Sequence, residues 1–241
     1  MLFRSLQIKE EAITAFNLGV LDLNARAKVE QMFWATCAKL LKIVRDLDYV
    51  PDELEGLERQ LSDTYYCNFS LFQSMPDHWA VKQLFPTIPI HRLNQQPQRR
   101  GIIADLTCDS DGKIDRFVGE RAPRPSLQLH PFHDGEPYII GIFLTGAYQE
   151  ILGDLHNLFG DTNAVHVQLD DKGAVVIDAL IRGDTVREVL DYVQFRSTTL
   201  AEQFRRDVEI AVREGRIGYE ESGLLLRFYE DGLNGYTYLE Q

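Results

Sequence analysis

Positive charge is scarce in this chain of 241 residues: 25 lysines and arginines face 37 aspartates and glutamates, for a net charge of −12 at neutral pH. Such a balance repels a phosphate backbone or an anionic membrane surface, which excludes nucleic acid and membrane as partners and favours a cationic substrate or partner. Cysteine is scarce as well. Cys37, Cys67 and Cys108 are the only three and follow no repeated spacing. That excludes a secreted disulfide framework and a zinc ribbon, and points to a reducing, cytoplasmic setting. No run approaches the roughly 18 apolar residues of a membrane-spanning helix. The first residues carry Arg4, Lys9, Glu10 and Glu11, so they lack the uninterrupted apolar core of a signal peptide. Internal repeats and low-complexity tracts are also missing. What remains is 44% hydrophobic residues, ample for a buried core in one large domain or two to three small ones.

From about Leu6 to Leu61 the apolar residues step by three and four, with Val29, Phe33, Cys37, Leu40, Val44 and Leu47 on one face and Leu54, Leu57 and Leu61 after a break at Pro51. This predicts two or three antiparallel helices, with Cys37 as a small buried hydrophobe. Near Tyr65 the character changes to short β-branched and aromatic runs: from Tyr65 to Phe72, Ile88 to Leu93, Gly101 to Thr107, Leu127 to His130, Tyr138 to Leu144, Ala164 to Leu169 and Ala174 to Leu180. They predict a mostly antiparallel β-domain whose clearest hairpin turns at Asp170 to Gly173. A short helix is expected from Asp77 to Leu84, capped by Asp77. After Gly183 the helical period returns. Thr185 with Glu188, and Thr199 with Glu202, have the spacing of capping boxes, Gly215 ends the second helix, and a third runs from Glu220 to Tyr229. The order is helices (1–64), sheet (65–182), helices (183–241), an α+β chain of several domains.

Reactive side chains concentrate after the Gly101 to Thr107 run. Cys108 is followed by Asp109, Ser110, Asp111 and Gly112. One reading is an ordinary hairpin turn. The other is a partly exposed thiol acting as nucleophile or proton donor beside carboxylates that hold a cation. Gly146 and Tyr148 end another strand and open a helix, a place where free N–H groups and a phenol suit a phosphate. His156 is either an acid or base or a residue that packs a loop. His130, His133 and Asp134 suggest a metal cluster, but the intervening proline forces an extended backbone and no second ligand group lies at a familiar spacing, which argues against zinc. Arg99 with Arg100, and Arg205 with Arg206, read as solvated faces or salt-bridge partners.

Three stretches together carry a resemblance: Ala-Asp-Leu-Thr-Cys-Asp-Ser-Asp-Gly from Ala104 to Gly112, the run from Tyr138 to Asp161, and Thr162 to Val167. With the flanking segments Asn68 to Asp77 and Phe85 to Leu93, they resemble the biosynthetic arginine decarboxylases, which use pyridoxal phosphate and are related to ornithine and diaminopimelate decarboxylases. The resemblance implies an inserted helical bundle, a β-domain of barrel or sandwich form and a C-terminal bundle. It implies no counterpart here of the family's N-terminal barrel, whose lysine binds the cofactor; none of Lys9, Lys28, Lys39, Lys42, Lys82, Lys113 and Lys172 has that context. It further implies that Cys108 reaches across a dimer interface to protonate the substrate's α-carbon. Asp109 and Asp111 would bind the guanidinium of L-arginine, and Tyr148 would hydrogen-bond the cofactor phosphate. Family members also use magnesium, for which no independent carboxylate site is seen. The expected partners are L-arginine, a barrel domain from the same or another chain, and further copies in a dimer or tetramer. The expected activity is decarboxylation of L-arginine to agmatine for polyamine synthesis, with little activity from this chain alone. Two alternatives remain: a barrel-less partner that pairs with and regulates a full-length decarboxylase, and an unrelated metal hydrolase using His130 and His133.

Overall fold

A computed structural model of the chain describes residues 2–44, 54, 56–120 and 122–240. It is an α+β structure with small antiparallel sheets between helical N- and C-terminal parts, and it divides into two compact units.

The first unit takes in Met1–Thr64, Thr87–Ile102 and Asp115–Gly141. Its helical hairpin is α1 (Leu2–Asn17) and α2 (Leu23–Val44). The turn between them uses Gly19 at φ 72°, and the Asp22 carboxylate accepts the Ala25 N–H at 2.8 Å, satisfying one of the free donors at the start of α2. The predicted stripe is the core. Phe33 and Cys37 of α2 are buried with Leu57 of α3 (Leu57–Gln60), and Leu40, Leu41, Leu54 and Leu61 pack around them. Lys9 lies 4.6 Å from the Phe33 ring centroid and 5.0 Å from that of Trp34. Leu47 and the break expected at Pro51 lie outside the described residues. The same unit carries β2 (Thr87–Pro89) and the first half of β3 (Arg99–Ala104). There Arg99, Arg100 and Gly101 oppose Leu129, Gln128 and Leu127 of β5 (Leu127–Leu129).

The second unit takes in Tyr65–Pro86, Ile103–Ile114 and Ile142–Gln241. Here the end of β3 turns back on β4 (Lys113–Ile114), with Ile103 opposite Ile114. The run expected to be one strand from Tyr65 to Phe72 is instead β1 (Asp63–Tyr66) followed by a short buried helix, α4 (Leu71–Ser74). Ser70 decides the change: its hydroxyl accepts the Gln73 N–H at 3.3 Å, a cap that local aromatic content does not reveal. The helix expected from Asp77 to Leu84 is α5 (Pro76–Ala80). Pro76, not Asp77, sets its start from the first helical position, and Lys82 at φ 60° lies just beyond its end. β6 (Ile140–Ile142) precedes α6 (Ala147–Ile151) along the chain.

The hairpin of β7 (Ala164–Leu169) and β8 (Val175–Ile181) forms as expected, with a register shift between His166 and Val167. Its turn is closed by Asp170, whose carboxylate accepts the Lys172 and Ala174 N–H groups, and by Gly173 at φ 78°. The predicted box of Thr185 and Glu188 caps α7 (Val186–Tyr192). Hydrogen bonds from Thr185 hold the Glu188 carboxyl below the usual range. The second predicted box does not form. α8 (Ser197–Arg213) begins two residues before Thr199, because Ser197 is buried and accepts from Arg187 at 3.0 Å. Arg187 also donates to Asn234 at 3.1 Å, tying α7 to α9 (Tyr219–Asn234). Gly215 at φ 70° follows α8, where a left-handed residue is easiest for glycine.

The C-terminal tail returns across this unit. Asn68 donates to the Leu239 carbonyl at 2.8 Å and accepts its N–H at 3.0 Å, so one side-chain amide imitates a strand partner. Tyr238 is buried, stacks on Phe159 and donates its hydroxyl to the Gly160 carbonyl at 2.8 Å; burial pushes its phenol up.

Candidate functional site

The β3–β4 hairpin loop is shaped by a residue that pattern reading assigned to a strand. β3 ends at Ala104, so Cys108 stands four residues beyond it rather than one, and Asp105 begins the loop. Asp105 is 2% exposed. One carboxylate oxygen accepts the Leu71 N–H at 2.8 Å, and the other accepts the Thr107 N–H at 2.9 Å and the Thr107 hydroxyl at 2.8 Å. Its own N–H donates to the Gly112 carbonyl at 2.8 Å. Gly112 is required by this arrangement: a Cβ there would sit 2.2 Å from the Asp105 carboxylate. A buried carboxylate with three donors thus fixes both ends of the loop, and residues between 106 and 111 are pushed outward.

On that loop Cys108 is exposed. Its N–H donates to the Asn157 side chain at 3.1 Å. Asn157 has φ 56° and ψ 24°, a left-handed conformation that asparagine tolerates better than most residues, and this turns its amide toward the cysteine loop. Asp109 uses one oxygen, Oδ1, to accept the Asp111 N–H at 2.9 Å, and its other oxygen, Oδ2, lies 3.7 Å from His156 Nε2. The His156 ring packs on Phe72 at 4.3 Å, and Nε2 is buried without a hydrogen-bond partner. Asp111 is exposed, and its carbonyl accepts the Lys113 N–H at 2.7 Å.

Tyr148 is on α6, which is entered through Gly146 at φ 72°. Its side chain is free to meet a ligand, since the residue is 77% exposed. The helix is held by its neighbour Gln149, which is buried. Gln149 donates to the Asp77 carboxylate at 2.6 Å and accepts the Asp77 N–H at 3.1 Å. The sequence had cast Asp77 as a helix cap; the fold uses it to anchor α6. Nearby, buried Gln73 donates to Asp161, whose N–H in turn donates to Asp184 at 2.8 Å. Burial, then the Asp184 charge, hold the Asp161 carboxyl above its ordinary range.

Cys108, Asp109, Asp111 and Tyr148 all belong to the second unit. The loop brings the first three together, and Asn157 and His156 join them. Asp105, Asn157 and Gln149 were not singled out by the sequence reading. The signal for Asp105 lay in its position between an apolar run and Thr107, a spacing suited to a side chain that bonds its own turn. Asn157 and Gln149 act across 49 and 72 residues, and nothing local announces them.

The three thiols differ sharply. Cys37 and Cys67 are both pushed up by burial, Cys67 to about 11, while Cys108 is exposed. At pH 8 a maleimide probe is therefore expected to take one equivalent, mapped to Cys108 by peptide mass. Labelling of Cys67 at a comparable rate would contradict its burial.

His130, His133 and Asp134 do not converge on a common point. His130 shares one ring nitrogen with the Tyr138 hydroxyl at 3.0 Å and the other with the Gln95 carbonyl at 3.0 Å. Among the described residues no three histidine, cysteine or carboxylate side chains converge on a common point. Arg99 lies 3.6 Å from Asp63, and Arg206 lies 3.9 Å from Glu202. No described helix is long and apolar enough to cross a membrane.

Two family models match the chain: the arginine decarboxylase helical bundle domain over residues 2–58 and the arginine decarboxylase C-terminal helical extension over residues 186–239. The biosynthetic arginine decarboxylase of Nostoc sp. is 58% identical across 97% of the chain. The chain is similar over nearly its whole length to the C-terminal portion of the biosynthetic arginine decarboxylases. That of Gloeobacter violaceus is 55% identical across 97% of the chain. The crystal structure of the Campylobacter jejuni enzyme superposes with a TM-score of 0.80 at 30% identity; the match covers all of this chain and 37% of that one. The chain spans about a third of the length of its curated decarboxylase relatives, 34% of the Nostoc protein and 37% of the Gloeobacter protein.

Proposed function

We propose that this chain supplies the C-terminal part of an arginine decarboxylase active site, converting L-arginine to agmatine and carbon dioxide for polyamine synthesis in the cytoplasm. The observation that carries the reading is the pairing of an exposed thiol, Cys108, with the Asp109 carboxylate on a loop fixed by buried Asp105 and by Asn157. A guanidinium presents two parallel N–H groups that match a carboxylate, so Asp109 takes the far end of arginine and Asp111 adds negative charge beside it.

Pyridoxal phosphate, when bound, supplies the electron sink that lets the carboxyl group leave. Tyr148, exposed at the start of α6, fits a hydrogen bond to its phosphate. Cys108 then gives a proton to the α-carbon as the bond to carbon dioxide breaks, and solvent restores the thiol; one proton is consumed for each agmatine formed. The lysine that holds the cofactor comes from a barrel domain on the same or another chain, with this loop reaching it across the interface of a dimer or tetramer. The small sheets then form parts of one barrel- or sandwich-like β-domain. No group of described side chains is arranged for magnesium, and no step is assigned to it.

The test is an absorbance scan with added pyridoxal phosphate, together with carbon dioxide release from arginine, for this chain alone and mixed with a barrel-containing fragment. Activity in the mixture alone is the expected result. The absence of both activity and cofactor binding in the mixture would overturn the reading and leave a structural or regulatory role toward a full-length decarboxylase.

A further inference from the structure

At the Cys108 loop one pair of polar atoms faces each other without a hydrogen bond. Asp109 Oδ1 is engaged by the Asp111 N–H, whereas Oδ2 faces His156 Nε2 at 3.7 Å. That nitrogen is buried, has no hydrogen-bond partner and is carried on a ring braced by Phe72 at 4.3 Å. The separation is about 0.9 Å longer than a charge-assisted hydrogen bond of ~2.8 Å. A small turn of either side chain closes it.

We infer that His156 is an internal competitor for Asp109: when its ring is protonated, Nε2–H closes onto Oδ2 and withholds the carboxylate from the guanidinium of arginine. The inference rests on the reading that Asp109 receives that guanidinium. A bidentate guanidinium needs both carboxylate oxygens, and a histidine cation on Oδ2 leaves none unshared.

The surroundings present no stronger claim on the ring. From α4 it meets Phe72, which carries no charge. From the β3–β4 loop the titratable groups are Asp105, engaged with Leu71 and Thr107, Cys108 and Asp109, and the exposed Asp111. Its own segment carries Asp154, whose N–H donates to the Phe72 carbonyl. The tail brings Tyr238 against the neighbouring Phe159, with its hydroxyl donated to Gly160. Asp109 is the carboxylate within ion-pair distance of the ring.

The sign follows from the protonation equilibrium. With the ring protonated the closed pair excludes arginine, and with the ring neutral Asp109 is open, so arginine affinity weakens on acidification.

Two measurements test this. In the chain alone, with 15N-labelled histidine, the His156 Nε2–H resonance is expected to emerge on acidification as a signal protected from solvent exchange; His156→Gln assigns it by its loss. Asp109→Asn should abolish the protection, and equal protection in that variant overturns the pair. In the mixture with a barrel-containing fragment, KM for arginine is expected to rise about tenfold per pH unit on the acid side while kcat holds, as competition by a single proton requires. In His156→Gln that rise should disappear. A KM profile unchanged by His156→Gln overturns the competition even if the ion pair is seen. A protected signal lost in Asp109→Asn, with no decarboxylation in the mixture, leaves the pair standing and overturns the decarboxylase reading and the competition built on it.

Discussion

Replacing Asp105 with alanine is expected to destabilise the chain by about 3 kcal/mol, the sum of lost charge-assisted hydrogen bonds and of buried donors left unpaired. The figure follows from what the side chain holds. Three donors, the Leu71 and Thr107 N–H groups and the Thr107 hydroxyl, point at a carboxylate that is 2% exposed. Water cannot replace that carboxylate without opening the start of α4. Asp105→Asn should lose less, because one amide oxygen still accepts while the NH2 group meets a donor. Urea unfolding of the two variants gives the order directly. A loss below about 1 kcal/mol in Asp105→Ala, the size of an ordinary single hydrogen bond, would show that the loop is held by something else. Because the same carboxylate shapes the turn that presents Cys108, the maleimide labelling rate of Cys108 should change in step with stability.

Cys108→Ala is expected to lower agmatine formation in the reconstituted mixture by about a hundredfold or more, the usual range for removal of a positioned proton donor. The thiol is exposed and its backbone is fixed by Asn157, so the substitution removes the proton source without disturbing a packed core. The loss should appear in kcat while KM for arginine stays near its original value, since Asp109 is untouched. A fraction of turnovers protonated at a carbon other than the α-carbon would be a second sign of the same defect. Unchanged kcat with clean agmatine would remove the role assigned to Cys108 and leave it as a turn residue.

Both results depend on a division of labour across the chain. The helical ends were legible because their signal is local and periodic: the stripe at Phe33 and Cys37 is the buried core of the N-terminal part, and the box at Thr185 and Glu188 caps α7. The hairpin of β7 and β8 was legible because two runs rich in β-branched residues flank a tight glycine-containing turn, a local signal for strand pairing. Legibility failed where a cap, a proline or a buried partner outweighed the pattern of apolar residues. Ser70 turned an aromatic strand pattern into α4, Pro76 took the helix start expected at Asp77, and buried Ser197 began α8 ahead of Thr199.

The site divides in the same way. Residue types and order alone offered Cys108, Asp109, Asp111 and Tyr148 as candidates beside the reading of an ordinary turn, and it was the resemblance to the arginine decarboxylases that attached roles to them. Only the tertiary structure decided that Asp105 holds the loop from inside, that Asn157 fixes the cysteine backbone, that Gln149 anchors α6 through Asp77 and that His156 faces Asp109. The reason is physical. Periodicity and turn chemistry act over a few residues and are written in the local order, whereas a buried polar group is satisfied by whichever partner the fold brings near, and that partner has no fixed distance along the chain.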